Sequence, residues 1–214
     1  MKFSALFFIL LFITKTVFSL TDYQKSIAQF YNIHNTQNLT LLEVKAYQQT
    51  TNYSCGPAAI MSLLHYYHKL SDRDMNAKTE LRIAKEMGSS TTLGSSSKQM
   101  ATWLSQHGFE VKYGTQGTLH LLQNSLKQGI PILVDWIDWG GHWVVVTGYH
   151  ATSKNNQDGN DLLFLADSSA HYDSVPSLNN LITFNADRFS TMWFDSENDK
   201  TQLIKGSYII AVPK

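Results

Sequence analysis

The single cysteine of this 214-residue sequence is the first candidate for chemistry. Cys55 stands in the segment SCGPAA, residues 54–59, at the start of a run of apolar residues and good helix formers. A helix N-terminus favours negative charge and therefore favours a reactive thiolate. A lone cysteine can instead be a small, inert core residue, and composition alone leaves both interpretations open. The position of Cys55 at the predicted helix start favours a nucleophile.

A thiolate nucleophile needs a base and a group that orients the base, and two apolar runs end in suitable residues. His142 follows two glycines and begins the run HWVVVTGYH, and Asp167 directly follows the run LLFLA. Asp-Gly at residues 158–159, between the runs, is a hairpin signal, so we expect antiparallel neighbouring strands. Asp167 would then hold the tautomer of His142. The acidic connection also resembles a calcium-binding loop, but its spacing is not that of an EF-hand.

An amide donor precedes the cysteine at a distance that lets the chain fold back over the thiol. Gln49 lies six residues before Cys55, in a polar segment, and its side chain could donate to an oxyanion. Gln48 is the neighbouring rival for this role. Either residue could also be an ordinary loop glutamine.

The segment DWIDWGG, residues 135–141, lies directly before His142 and is rich in aromatic residues. We expect Trp136, Trp139 and Gly141 to contact a substrate, because large amphipathic rings can form the wall of a cleft. The alternative is that one or both tryptophans cap the sheet.

A histidine pair raises the separate question of a metal. His65 and His68 lie three residues apart on the predicted cysteine helix, the spacing of a metal-binding pair. No further ligand stands nearby in the sequence, so we expect packed or surface histidines and predict no metal site.

Helical patterns come first and strand patterns later, which predicts an α+β fold. We expect the helices to begin at Thr21, Ser54, Asp74, Ser96, Thr118 and Asn185. Strands are expected near residues 41–47, 109–113, 130–136, 142–149, 162–166 and 208–212. In this arrangement the helical part carries the cysteine and the sheet carries the histidine and the aspartate.

The first 19 residues have the pattern of a secretory signal peptide: Lys2, an apolar run over residues 3–13, and a short exit that ends at Ser19. A membrane anchor is the alternative, but the run is shorter than the roughly 20 residues that span a bilayer. We therefore expect cleavage before Leu20, no stable membrane anchor, and one domain over residues 20–214. The product would be exported: periplasmic or secreted, if the source is bacterial.

The composition argues against one class of partner, and the single cysteine supports a role for its thiol. Lys plus Arg and Asp plus Glu number 17 each, so no charge excess indicates nucleic acid as a partner. In an oxidising compartment a free thiol has reason to persist if it is used or buried.

These residues, taken together, resemble the papain-like cysteine peptidases, and most closely the C39 and C39-like peptidases. The resemblance rests on Gln49 followed by SCGPAA, on HWVVVTG at residues 142–148, and on LLFLAD at residues 162–167. The family often has a proline after the aspartate, where this sequence has Ser168. The resemblance implies a helical part that carries the nucleophile and packs on an antiparallel sheet.

The resemblance also implies a function, and it leaves alternatives open. Cys55, His142 and Asp167 would form the triad, Gln49 the oxyanion hole, and a peptide or protein the substrate, without a cofactor. The implied reaction is hydrolysis of a peptide or isopeptide bond. A transferase or deamidase with the same thioester chemistry, similar to phytochelatin synthases, is the second interpretation. A non-catalytic binding module is the third. Substrate identity and oligomeric state stay open.

Overall fold

The structure is a computed structural model, which describes residues 19–153, 159–169, 180–196 and 203–214. The expected signal peptide lies outside the described residues, except for Ser19. Within the described part there are six α-helices: α1 Asp22–Phe30, α2 Cys55–Tyr66, α3 Ala77–Met87, α4 Ser97–Gln106, α5 Leu119–Lys127 and α6 Ala186–Met192. No helix in these ranges is both long enough and apolar enough to cross a bilayer.

The described strands form one large antiparallel sheet and a short ribbon. They are β1 Leu39–Leu41, β2 Phe109–Gly114, β3 Ile132–Trp136, β4 His142–His150, β5 Leu162–Ala166, β6 Leu181–Asn185, β7 Phe194–Asp195, β8 Ile204–Lys205 and β9 Tyr208–Pro213. The sheet order is β2-β9-β3-β4-β5-β6, with β1 added to the far end of β4, and β7 pairs with β8. The expected α+β fold is confirmed, and so is the antiparallel pairing of β4 with β5.

Local sequence signals explain where most helices begin and end. Thr21 and Ser96 form capping boxes with Gln24 and Gln99, so two backbone donors are satisfied at each helix start. Asn185 caps α6 with a single hydrogen bond, because its side-chain oxygen accepts from the backbone N–H of Arg188. Side-chain oxygens at these positions therefore fix the helix starts that the sequence predicts.

Helices cover both faces of the sheet and bury two apolar clusters. On one face, α2, α3 and α4 pack on Leu133, Trp143 and Val145. On the other face, α5 and α6 pack on strand residues that include Val134 and Trp136. Burial of apolar surface, which stabilises the fold by about 25 cal/mol for each Å², holds the layers together. The start of α2 is therefore fixed against the start of β4.

One predicted strand has the wrong length, and three short strands were not predicted. The strand expected over residues 41–47 is short, Leu39–Leu41. Leu42 still donates to the Thr147 carbonyl of β4, and the chain then leaves the sheet and reaches α2 at Tyr47, whose N–H donates to the Ser62 hydroxyl. Strands β6, β7 and β8 were not predicted, since their short segments carry weak alternation. The strand at β6 matters for the site, because it extends the sheet beside Asp167.

Candidate active site

The pairing of β4 with β5 brings His142 and Asp167 into contact. His142 is the first residue of β4, and Asp167 directly follows β5, whose Ala166 pairs with Val145. The imidazole Nε2 and the Asp167 Oδ1 are 2.8 Å apart, and both residues are only 3% exposed. Asp167 therefore fixes the ring, with Nε2 as donor, and leaves Nδ1 for another partner.

Cys55 is the second group that acts on this imidazole, because its side chain helps to raise the pKa of His142. Cys55 is the first residue of α2 and is 8% exposed. Gly56 follows it because a Cβ there would lie 2.9 Å from the Ser95 Oγ and 3.1 Å from the Met100 Sδ. Close packing against these residues thus fixes the position of the start of α2.

Ser54 is not the N-cap of α2 in the way that the sequence predicts. It occupies the N-cap position and is fully buried, but its side chain makes no capping hydrogen bond. Its oxygen accepts from the Thr51 hydroxyl, and its own hydroxyl donates to Glu80 of α3. The Ser54 side chain therefore does not occupy the backbone N–H groups at the start of α2, next to the thiol.

The environment of His142 favours its charged form. Burial alone would lower the pKa of the imidazole, but the hydrogen bonds and negative charges of Asp167 and Cys55 outweigh burial and raise the pKa to about 10. Burial would raise the pKa of Asp167, yet its hydrogen bonds with His142 and Ser169 hold that pKa below its usual value. The site therefore stabilises the charged form of the His142 imidazole beside the carboxylate of Asp167.

Residues 168 and 169 complete the surroundings of the carboxylate and were not singled out from the sequence as functional. The Ser169 backbone N–H and hydroxyl donate to the Asp167 Oδ1, at 2.7 and 2.8 Å. Ser168 is 2% exposed, and its hydroxyl donates to the Gln49 Oε1 at 2.7 Å. Small hydroxyl residues in a loop give no periodic signal, so sequence patterns could not have found these contacts.

The structure gives Gln49 and Gln48 different surroundings. The Gln49 side chain accepts from Ser168 and donates from Nε2 to the carbonyl of Thr51 at 2.8 Å. Its backbone N–H donates to the Ser168 carbonyl at 3.0 Å. The Gln48 side chain accepts from Asn180 at 2.9 Å. Gln49 thus joins the loop before Cys55 to the loop after Asp167, and its Nε2 retains a second hydrogen for another acceptor.

A polar cleft of about 450 Å³ opens beside Cys55. One wall is formed by residues 90–96, a serine- and threonine-rich loop. Backbone hydrogen bonds in both directions join Ser90 and Gly94, and the Trp143 indole donates to the Ser95 carbonyl at 2.9 Å. The opposite wall includes Gly140, Gly141, Asp135 and Asp195. The cleft has the size and polar lining of a site for an extended chain.

The residues proposed to contact substrate fall in three different places. Gly141 lines the cleft. Trp136 is fully buried against Phe184 and Phe189 in the cluster on the other sheet face, so its expected place in the cleft wall was wrong. The alternation of β3 explains this, because Trp136 shares the face of Val134. The Trp139 side chain lies outside the described part of the chain.

The structure also shows the surroundings of His65, one of the two histidines with metal-pair spacing. The His65 Nε2 lies 3.2 Å from the Asp72 Oδ1 at the surface. Among the described residues, no group of three or more His, Cys, Asp or Glu side chains could hold a metal ion.

A comparison of this chain with models of protein families identifies its family. The family model described as "Peptidase_C39 like family" matches residues 41–193, which is more than half of the chain. The chain belongs to the C39-like peptidase family. A comparison of this C39-like chain with curated proteins gave no match.

Solved structures support the fold of the C39-like chain. The peptidase domain of Streptococcus ComA, a bifunctional ABC transporter involved in quorum sensing, matches with TM-score 0.53, 18% identity, and coverage of 80% of this chain and 100% of that chain. A protein described as a C39-like peptidase from Bacillus anthracis matches with TM-score 0.57, 12% identity, and coverage of 82% and 98%. A double-glycine-motif protease from an AMS/PCAT transporter, in complex with a leader peptide, matches with TM-score 0.51, 16% identity, and coverage of 81% and 94%. At these identities the matches establish the fold of this chain.

The raised pKa of His142 predicts a pH-dependent stability. The folded pKa of about 10 lies above the ordinary value of 6.5, so the charged imidazole stabilises the folded state fully below about pH 6.5. This contribution is lost as the pH rises toward 10. Urea unfolding of wild type and His142→Gln should therefore give a stability difference that is largest at pH 6 and shrinks by pH 10. A difference that stays constant between these pH values would contradict the proposed charged state.

Two adjacent glycines offer a matched test of the cleft wall. Gly140 and Gly141 both have positive φ, +84° and +115°, so alanine is strained at either position. A Cβ at Gly140 meets nothing within 4 Å, whereas a Cβ at Gly141 would lie 2.5 Å from the Asp195 Oδ2. We expect Gly141→Ala to displace the start of β4 and slow alkylation of Cys55 by iodoacetamide. Gly140→Ala should cost about 1–3 kcal/mol of stability and leave the alkylation rate near wild type; equal rates in the two variants would refute this role of Gly141.

Proposed function

We propose that this C39-like chain is an exported cysteine peptidase that hydrolyses a peptide or isopeptide bond. The observation that carries the proposal is the buried hydrogen bond between His142 and Asp167, with Cys55 at the start of α2 acting on the same imidazole. A histidine held between a thiol and a carboxylate is the arrangement that activates a nucleophilic cysteine. Export stays a prediction and rests on the apolar pattern of residues 1–19.

The reaction follows from the roles that these groups can take. The Cys55 thiolate attacks the carbonyl carbon and forms a tetrahedral intermediate with a negative oxygen. The backbone N–H of Cys55 and the second hydrogen on the Gln49 Nε2 donate to that oxygen. The His142 imidazolium gives its proton to the leaving amine, and an acyl thioester remains. His142 then takes a proton from water, the hydroxide attacks the thioester, and the acid leaves while Cys55 is restored.

The cleft beside Cys55 supports a peptide as the substrate. Its walls carry hydroxyl and amide groups and exposed backbone, which can hydrogen-bond an extended main chain. The transporter protease among the similar structures is bound to a leader peptide, which agrees with this substrate class. We infer a peptide or protein substrate that enters between the loop of residues 90–96 and the glycines before His142.

The proposal is tested by the reactivity of the thiol at acidic pH. Wild type should react with iodoacetamide at pH 6 far faster than a model thiol, because the imidazolium of His142 and the start of α2 stabilise the thiolate. Cys55→Ser should take up no label by intact-mass spectrometry, and His142→Gln should react slowly. A wild-type rate no higher than that of the model thiol would refute the nucleophile and support a non-catalytic binding module.

A product measurement separates hydrolysis from acyl transfer. Wild type and Cys55→Ser are incubated with a peptide mixture, with and without an added primary amine, and the products are identified by mass spectrometry. A peptidase yields new free carboxyl termini in both conditions. A transferase yields mainly the amide of the added amine, and a deamidase converts glutamine or asparagine side chains and leaves the main chain intact.

Gln49 is predicted to act on the oxyanion, which exists only during the reaction. On a peptide that the wild type cleaves, Gln49→Ala should lower kcat roughly 100- to 1000-fold and leave KM near its starting value. Alkylation of Cys55 by iodoacetamide forms no oxyanion and should stay almost intact.

Gln48→Ala is the matched control for Gln49. It removes one part-buried hydrogen bond, with Asn180, and should cost roughly 0.5–1.5 kcal/mol of stability with little change in kcat. If Gln49→Ala raised KM at constant kcat, or if Gln48→Ala were the damaging change, the oxyanion assignment would be wrong.

A further inference from the structure

A buried carboxylate outside the proposed triad lies next to the loop before Cys55. Glu80, on the first turn of α3, is 0% exposed. Burial of a carboxylate is costly unless hydrogen bonds replace its water. Its described partners contain no cation, so the whole compensation comes from neutral donors.

Four hydrogen bonds from the loop of residues 47–54 converge on this carboxylate. Oε1 accepts from the Thr50 backbone N–H at 2.9 Å and from the Ser54 hydroxyl. Oε2 accepts from the Thr50 hydroxyl at 2.6 Å and from the Tyr47 hydroxyl at 3.1 Å. Two donors at each oxygen match the acceptor capacity of a carboxylate. The pKa of Tyr47 agrees: burial, and then the charge and hydrogen bond of Glu80, raise it to about 12.

The bonded residues stand directly beside the two groups proposed to hold the oxyanion. Thr50 follows Gln49, and Ser54 precedes Cys55. Residues 49–55 form neither helix nor strand until α2 begins, so no sheet ladder or helical bonding fixes the distance between them. Glu80 ties both ends of this short segment to α3, which itself packs on α2.

We infer that Glu80 is a positioning residue that holds the Gln49 amide in register with the backbone N–H of Cys55. The inference rests on the proposed function and extends it to a residue that touches neither substrate nor thiol. Glu80 acts through geometry: a misplacement of about 1 Å in a catalytic group can cost roughly 100-fold in rate.

The substitution Glu80→Gln tests this with little change in size. A glutamine keeps one acceptor oxygen but places an NH₂ group opposite two donors, so two of the four hydrogen bonds must reverse their direction or break, and the negative charge that they serve is removed. Thr50→Val is a milder variant, since it removes one hydroxyl donor to Glu80 from an exposed residue and preserves shape. If Glu80→Gln does not fold, Thr50→Val combined with Tyr47→Phe still weakens the same network.

Two small reagents give readouts that do not require the natural substrate. Acylation of Cys55 by p-nitrophenyl acetate forms the thioester bond, passes through an oxyanion and releases p-nitrophenolate. Alkylation by iodoacetamide forms a C–S bond, releases iodide and has no oxyanion. Both rates are measured per folded molecule at pH 7, and stability is measured by urea unfolding. The ratio of acylation to alkylation therefore reports the oxyanion geometry.

We expect Glu80→Gln to lower the acylation rate roughly 10- to 100-fold and to leave the alkylation rate within about twofold. Thr50→Val should shift the ratio in the same direction by a smaller factor. In a Gln49→Ala background, Glu80→Gln should lower acylation little further, because its effect passes through Gln49.

Two controls isolate the effect. Glu86→Gln makes the same substitution on the same helix, but Glu86 bonds to Arg82 and Trp103, away from the loop. Ile27→Val lowers stability in a remote core cluster. Both should keep the wild-type ratio of the two rates.

Every other outcome overturns the inference. An unchanged ratio in Glu80→Gln, or an equal fall in both rates, would mean that Glu80 serves stability alone. A full additional loss in the Gln49→Ala background would mean that it does not act through Gln49. A wild-type protein that reacts no faster than a model thiol with either reagent would instead refute the proposed function, so the two failures are distinguishable.

Discussion

An imidazole buried to 3% exposure and charged at neutral pH is stable only where both ring nitrogens have partners. His142 has Asp167 on Nε2, and the side chain of Cys55 also helps to raise the pKa of the ring. The two partners come from different layers, one from the sheet and one from a helix. The pairing of β4 with β5 supplies the first contact, and the packing of α2 on the sheet supplies the second. The same contacts that bury the core therefore set the geometry of the site.

The sequence predicts the elements that carry the site, because each has a local signal. The helix starts expected at Thr21 and Ser96, the apolar run that begins at His142 and the run that ends before Asp167 all match the structure. The α+β layout and the family follow from the same segments. The sequence does not predict the face of the sheet on which a buried strand residue lies. In β3 and β4 every residue is buried, so hydrophobicity does not tell the two faces apart, and Trp136 was assigned to the cleft when it packs on the opposite face.

Polar contacts between loops could not be predicted from periodicity. Ser168, Glu80 and residues 90–96 carry no repeating pattern, and each bonds to a segment far away in the chain. Their partners become neighbours only after the helices pack on the sheet. Ser54 illustrates the limit: its position predicts a helix cap, but its oxygen accepts from the Thr51 hydroxyl and its own hydroxyl donates to the buried Glu80 of α3. Tertiary electrostatics thus overrides a local capping preference.

The residue after the aspartate shows how this chain departs from the usual pattern of its family. A proline at position 168 could offer its carbonyl but no hydroxyl. Ser168 uses both groups on Gln49, with its carbonyl accepting from the backbone N–H and its hydroxyl donating to the side-chain oxygen. Because that oxygen and one hydrogen on Nε2 are occupied, by Ser168 and Thr51, the orientation of the amide is fixed. The loop that carries Asp167 and the loop that precedes Cys55 are therefore one hydrogen-bonded unit, so the orientation of the imidazole and that of the amide depend on the same few contacts.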